Sequence, residues 1–287
     1  MTTVSPALDL PTRVAVAPHR RRGSLAAVAT LARRRLALSV RTPRELLVPI
    51  MTPLLFAIVI APALADTFGA ALGGIDYMTF VAVSTLGLLV PLSCVQSGLG
   101  VVVDRLGGAQ RDLLAAPIRR SLIVIGNLVV AVALSALQVA VVVGASALRG
   151  AEYDVSLSGV GWFAASTLAF AIAMYGVAEV LANRVATQED YIAALPAIAI
   201  VPYFFAGGLF PISALPAALT VVAKMLPITH VLALMRYGLV DSSQGLYDIW
   251  GMSNTTAMAT LSLAFVGLFA AALTAVSVRV FRRTAVS

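Results

Sequence analysis

The chain reads as long apolar runs separated by short polar breaks. Runs at 46–64, 77–103, 122–148, 159–183, 191–210 and 255–278 each approach or exceed the ~20 residues that a helix needs to cross a ~30 Å hydrocarbon layer. The pattern predicts an all-α integral membrane protein with six transmembrane helices. One break is unlike the rest. Residues 103–121, VDRLGGAQRDLLAAPIRRS, carry Asp104, Arg105, Arg111, Asp112, Arg119 and Arg120 between two spans. On a helical wheel Leu106, Ala109, Leu113 and Leu114 share one side, and Arg105, Arg111 and Asp112 fall on the rest. Pro117 then ends the pattern. The spacing predicts a short cytosolic amphipathic helix at 105–117, against the plainer reading of a solvated loop.

Two further stretches depart from simple crossing. Residues 1–23 are polar, hold Pro6, Pro11 and Pro18, and are expected to be a disordered cytosolic tail. In 24–44, Leu25, Val28, Ala29, Ala32 and Leu36 follow helical spacing beside Arg33, Arg34 and Arg35. That composition suits an amphipathic helix in the membrane surface, its arginines among anionic headgroups. Residues 211–239 are apolar, but Pro211, Pro216 and Pro227 interrupt them. The pieces on either side of Pro227 are each about half a bilayer long. They predict a re-entrant extracytoplasmic hairpin, which is tolerated where protein or a cavity surrounds it. The expected organisation is therefore a tail at 1–23, a surface helix at 24–44 and a transmembrane domain at 45–283.

Composition sharpens this picture. Of the 287 residues 60% are hydrophobic and 11% charged, with mean hydropathy +0.96; soluble domains run near 25% charged. The net charge of +7 does not point to nucleic acid, because the basic residues flank apolar runs and form no separate domain. Seventeen of the twenty Lys and Arg fall on the proposed cytosolic side, and Arg149, Lys224 and Arg236 on the other. The asymmetry predicts a multi-pass cell-membrane protein with both termini in the cytosol. A full crossing at 211–239 would turn the basic tail outward. No signal peptide is expected, since the first forty-odd residues hold no uninterrupted apolar run.

Candidate chemistry is sparse. The single Cys94 excludes an intrachain disulfide and is read as a packing residue. Lys224, the only lysine, lies in no Gly-x-x-x-x-Gly-Lys-Ser/Thr loop, so the chain does not carry that ATP-hydrolysing site. His19 and His230 are expected on opposite membrane faces, which disfavours a metal pair or a Ser–His–Asp site. No catalytic residue and no metal site is expected, and the chain is not read as an enzyme. Glu179 is the one ionisable residue within a span. It either snorkels or pairs with Arg184, or it serves a substrate path or partner contact. Gly98, Gly100 and Gly176 either permit close helix packing or are ordinary membrane-helix glycines. Tyr203, Phe204 and Phe205 either line an interface, grip an apolar ligand or pack the core. His230 is structural or faces a path.

The layout resembles the ABC-2 type transporter permeases, including the daunorubicin-resistance and nodulation-factor exporter permeases, from about Leu31 to Arg283. The most specific part is 204–239, FFAGGLFPISALPAALTVVAKMLPITHVLALMRYGL. It has a small-residue turn, Phe210-Pro211, Leu215-Pro216, Leu226-Pro227-Ile228-Thr229 and then Arg236. A second match is Asp104-Arg105 followed by Leu113-Leu114-Ala115 and Pro117. A third is the amphipathic start ending in Arg41-Thr42-Pro43-Arg44. The resemblance implies a connecting helix at the start and a coupling helix at 105–117 that docks on an ABC ATPase subunit dimer. It implies extracytoplasmic gate helices at 211–239 and a second permease half, identical or paralogous. ATP and Mg would then belong to the partner ATPase, with no cofactor in this chain, and membrane lipids would surround it. The implied function is export of amphipathic drug-like or lipid-like substrates, or of a lipid or glycolipid envelope component. Readings of a different class are an ATP-independent carrier and a membrane-embedded enzyme. Gly107-Gly108-Ala109 departs from the family's more acidic pattern. Glycines cost ~1 kcal/mol each in a helix, so the coupling helix is expected to start near Ala109.

Overall fold

A computed structural model describes residues 24–55, 59, 63 and 76–284. The expected tail at 1–23, the second half of the first run and the loop after it lie outside the described residues. All regular structure among the described residues is helical. Among the described residues four helices are long and apolar enough to cross a membrane: α3 (Tyr77–Leu106), α5 (Ser121–Leu148), α6 (Leu157–Ala182) and α12 (Thr255–Thr284). Side-chain caps set two of their starts. Asp76 accepts from the Thr79 amide at 3.0 Å, and Ser156 accepts from the Gly159 amide at 3.0 Å, satisfying amide groups that a helix start leaves open.

Helix α3 is the axis of the bundle. In the most apolar window of each, 89% of α3 is buried against 22% of α12. The outer face of α12 thus has little cover from the described residues. Helix α6 packs between α3 and α12 and against α10 (Pro227–Val240). Small residues make those approaches close. A Cβ added at Gly176 would sit 2.9 Å from the Leu273 Cβ of α12, and one at Gly159 would strike the Gly238 carbonyl of α10. The close-packing reading therefore holds for Gly176. Cys94 is wholly buried beside Ser135, with the sulfur and hydroxyl oxygen 3.6 Å apart.

Among the described residues the expected fifth span is not one continuous helix. The run at 191–210 is three short pieces. These are α7 (Gln188–Ala193), a π-helical turn at Pro196–Ile200 and α8 (Val201–Phe205). Thr187 and Asp190 form a capping box that starts α7. Pro196 and Pro202 lack the amide that a continuing α-helix needs. Gly207, at φ 79°, turns the chain back. Of the first run, α2 (Pro43–Leu55) is described and is thirteen residues long. The 211–239 segment is a short 3-10 turn, Ile212–Ala214, then α9 (Ala217–Met225) and α10, the last two bent by 82°. Leu226 between them is extended, and Pro227 opens α10 at its first position. There a proline loses no hydrogen bond.

The first helix, α1 (Ser24–Arg41), turns one stripe inward: Ala27, Leu31, Arg35 and Ser39 recur every fourth residue, and all but the half-buried Leu31 are buried. Leu31 packs at Gly126 of α5, where a Cβ would lie 2.7 Å from the Leu31 Cβ. Leu25 and Leu36 remain exposed. The expectation that all three arginines lie among headgroups is corrected here. Arg33 is exposed, but Arg35 is buried and Arg34 is committed to an ion pair.

Candidate functional site

Helix α3 runs past the apolar zone into the charged break and ends at Gly107, whose amide bonds the Val103 carbonyl at 2.8 Å. Gly108 follows at φ 83°, a left-handed conformation that glycine adopts freely. Helix α4 (Ala109–Ala115) then begins, one residue after the glycine pair. The two inward leucines, Leu113 and Leu114, are half-buried and pack with Ile118 against the chain's own core. Arg111, Asp112, Ala115 and Pro117 are exposed, as is Leu106 at the end of α3. The face open to a partner is thus charged, and the leucines hold α4 to its own bundle.

Three arginines tie this corner together. The Arg34 guanidinium of α1 grips Asp104 through two bonds, Nη1 to Oδ2 at 3.0 Å and Nη2 to Oδ1 at 3.1 Å. That carboxylate holds the Arg34 pKa above its usual value, through the hydrogen bond first. Arg105 donates to the Val185 carbonyl in the turn after α6. Arg35 enters the bundle and donates to the Ser97 carbonyl at 2.9 Å. Its guanidinium occupies the space that a side chain on Gly100 would need. Gly98 likewise gives room to the Tyr191 hydroxyl, which donates to the Val95 carbonyl at 2.8 Å.

Glu179 sits at this junction, and its position departs from the snorkelling or Arg184-paired reading. It is wholly buried. Tyr175 donates to its Oε2 at 2.6 Å and Asn183 to its Oε1 at 3.2 Å. The cation whose charge acts on it is Arg35. Sequence reasoning missed Arg35. The available signal was the four-residue recurrence of Ala27, Leu31, Arg35 and Ser39, a stripe different from the apolar one.

At the other end, Arg236 on α10 is buried and reaches two further elements. Its Nη2 donates to the Ser84 hydroxyl and to the Gly207 carbonyl, both at 2.6 Å, and its guanidinium carbon lies 3.8 Å from the Phe80 ring centroid. A buried cation held by hydrogen bonds and an aromatic face joins α10, α3 and the turn after α8. Tyr203, on α8, is buried against Gly208 of that turn, whereas Phe204 and Phe205 are exposed. The aromatic group therefore splits between core and surface. Phe210, Pro211 and Leu215 are half-buried and Pro216 exposed around the 3-10 turn.

The bend between α9 and α10 is fastened internally. Thr229 donates to the Ala223 carbonyl at 2.6 Å. His230 bridges the Lys224 carbonyl at 3.0 Å and the Ser262 hydroxyl of α12 at 3.1 Å. Among the described residues no group of three or more His, Cys, Asp and Glu side chains is placed to hold a metal ion. A separate apolar groove of about 280 Å³ lies between α5 and α6, with Val139, Phe163 and Leu168 on its walls.

The charged corner and the fastened bend are both encoded in the stretch that a family model recognises. The model for the ABC-2 type transporter matches residues 26–240, three quarters of the chain, from the first turn of α1 to the end of α10. A search of curated proteins gives no significant match. The family supplies membrane subunits of ABC transporters that work with a separate ABC ATPase. On that match the chain, a multi-pass membrane protein, belongs to the ABC-2 type transporter family.

Proposed function

We propose that this chain is the permease half of an ATP-driven exporter for amphipathic drug-like or lipid-like substrates. An ABC ATPase dimer supplies ATP and Mg and docks on α4, and a second permease half, identical or paralogous, completes the path. The observation that carries the reading is the build of the α4 corner. A short helix with an exposed Arg111–Asp112 face is held to the core by two inward leucines and follows directly on α3, whose Asp104 is gripped by Arg34 of α1. A push on that face travels into α3, the most buried helix. At the opposite end α3 meets α10 through Ser84 and Arg236. Closing of the ATPase dimer then shifts the bent α9–α10 pair, which acts as a re-entrant gate. The few polar groups along the spans suit apolar or amphipathic cargo better than ions.

Purification of tagged chain from its native membrane, with identification of what accompanies it, tests the reading. An ATPase carrying a P-loop should co-purify. The charge-swapped variant Arg111→Glu/Asp112→Lys should release that ATPase while still inserting in the membrane. An ATPase retained at full level by the variant sinks the docking assignment, and transport that persists without any ATPase subunit sinks the exporter reading.

A further inference from the structure

Under the bend between α9 and α10 lies a hollow of about 300 Å³, lined by Lys224, Met225, His230, Ile249, Trp250 and Phe265. Ile249 and Trp250 come from α11 (Gln244–Trp250) and Phe265 from α12. The polar atoms of its wall are already committed. The Nε2 of His230 faces the Lys224 carbonyl, so that nitrogen donates, and Nδ1 accepts from Ser262. The Trp250 indole donates to the same Ser262 oxygen at 2.8 Å. His230 also stacks at 4.5 Å from Phe265 and 5.6 Å from Trp250, centroid to centroid. The result is a fixed aromatic wall with no polar group left to give. The exception is Lys224. Among the described residues its ammonium has neither an ion-pair nor a hydrogen-bond partner.

We propose that this hollow binds an anionic phospholipid of the outer leaflet, with its phosphate on Lys224 and its glycerol and upper acyl chain against Trp250, Phe265 and Met225. A free cation beside an aromatic and thioether wall selects a ligand with an anionic head and an apolar body. Depth agrees. Taking Arg279 of α12 as the cytosolic boundary, a ~30 Å hydrocarbon layer reaches back ~20 residues to about Ala259. Ser262 and Phe265 then lie within the first two turns below the outer boundary, where the glycerol and first methylenes of a lipid sit. Lys224, on a flexible stem, reaches up to the phosphate. Apolar exposure around the bend fits acyl chains as its cover: Met225 is 71% and Val221 61% exposed. A lipid seated here braces the 82° bend from its open side, where the hydrogen bonds of Thr229 and His230 brace it from within.

The proposal rests on the outward placement of the α9–α10 pair, and its test needs neither an ATPase nor transport. The chain has two tryptophans, Trp162 and Trp250, so Trp162→Phe leaves Trp250 as the single reporter. In nanodiscs, phosphatidylglycerol brominated near the top of its chains should quench Trp250 more than equally brominated phosphatidylcholine. Lys224→Gln should remove that preference, with an apparent affinity about fivefold lower, as expected for one interfacial lysine. Equal quenching by the two lipids, or a preference unchanged in Lys224→Gln, overturns the site and leaves the exporter reading standing. Should Trp162→Phe not fold, native mass spectrometry decides on the unaltered tryptophans. Phosphatidylglycerol retained by the wild-type chain and lost by Lys224→Gln supports the site, and equal retention refutes it.

Discussion

At the residue scale, the buried charges carry the sharpest consequences. Arg35 and Glu179 are both buried and hydrogen-bonded, and the charge of Arg35 acts on the Glu179 carboxyl. Removing one of two opposite buried charges leaves the other less compensated, at a cost of up to about 3–5 kcal/mol. Arg35→Met should therefore destabilise the chain in detergent by roughly that amount. Arg35→Met/Glu179→Gln should recover a large part of the loss. Thermal unfolding followed by light scattering or intrinsic fluorescence measures both, and a double variant no better than the single would show that the two charges act independently. The Arg34–Asp104 grip differs, because the Arg34 side chain is a third exposed and screened by solvent. Its stabilisation is of order 1 kcal/mol or less. The folded pKa of Arg34 is raised, so its contribution is complete below the unfolded value, already strongly basic, and fades only above it. On the Arg34 side the grip should hold at any workable pH, and Asp104→Asn should cost little stability while loosening α1 from α3.

At the scale of elements, the glycine hinge and the proline bend set two directions. Gly108 holds φ 83° between α3 and α4. Gly108→Val places a β-branched residue where it pays at least ~1–2 kcal/mol of backbone strain, and α4 should swing or fray. Helix α4 is the proposed docking face, so ATP hydrolysis should persist while transport falls. Pro227→Leu acts on the bend, where the proline presets the first turn of α10 and Leu226 is extended. Leucine allows α9 and α10 to run on as one helix. Spin labels at Val221 and Tyr237 should move apart, and export should drop. An unchanged distance with normal export would remove the reason for calling this pair a gate.

These same elements mark what hydropathy can and cannot reveal. Helices α3, α5, α6 and α12 were legible because their apolar runs are unbroken and one sliding pattern describes each. The run at 191–210 has the same composition but breaks. The signals that break it are local: a Thr187–Asp190 capping box, two prolines without amides, and Gly207 at positive φ. Mean hydropathy averages over all of them. The late start of α4 was readable from the glycine pair alone. The inward turn of Leu113 and Leu114 was not, because an amphipathic wheel cannot say whether its apolar side meets a partner or the chain's own core. Glu179 was visible as a costly residue, whereas Arg35 read as one of three surface arginines. Their meeting depends on Gly100, on a third helix, which is a tertiary fact.

At the scale of the whole molecule, the arrangement implies one orientation, and it can be read by chemistry on living cells. The charged corner at α4 and the bend at α9–α10 lie at opposite ends of α3. If the seventeen-to-three distribution of Lys and Arg sets topology, the α4 end faces the cytosol and the bend faces outward. The background for labelling is Cys94→Ser. Cys94 is buried, with its thiol placed to donate to the Ala171 carbonyl at 3.4 Å and beside Ser135. A serine hydroxyl keeps those bonds with a smaller atom, so the cysteine-free chain should fold. Single cysteines then go at exposed positions: Ser213 by the 3-10 turn and Ser253 before α12 on one side, Ala115 and Glu189 on the other. A membrane-impermeant maleimide should label Ser213→Cys and Ser253→Cys in intact cells, and Ala115→Cys and Glu189→Cys only after lysis. Ser253 is the decisive position. A full crossing by the bent pair would move it to the cytosol while leaving Ser213 outside, so labelling at 213 without 253 would replace the re-entrant gate with a broken span. Labelling at both places the two ends of the bend on one side. It then obliges α12, with its sparsely covered outer face and its basic end, to return the chain to the cytosol.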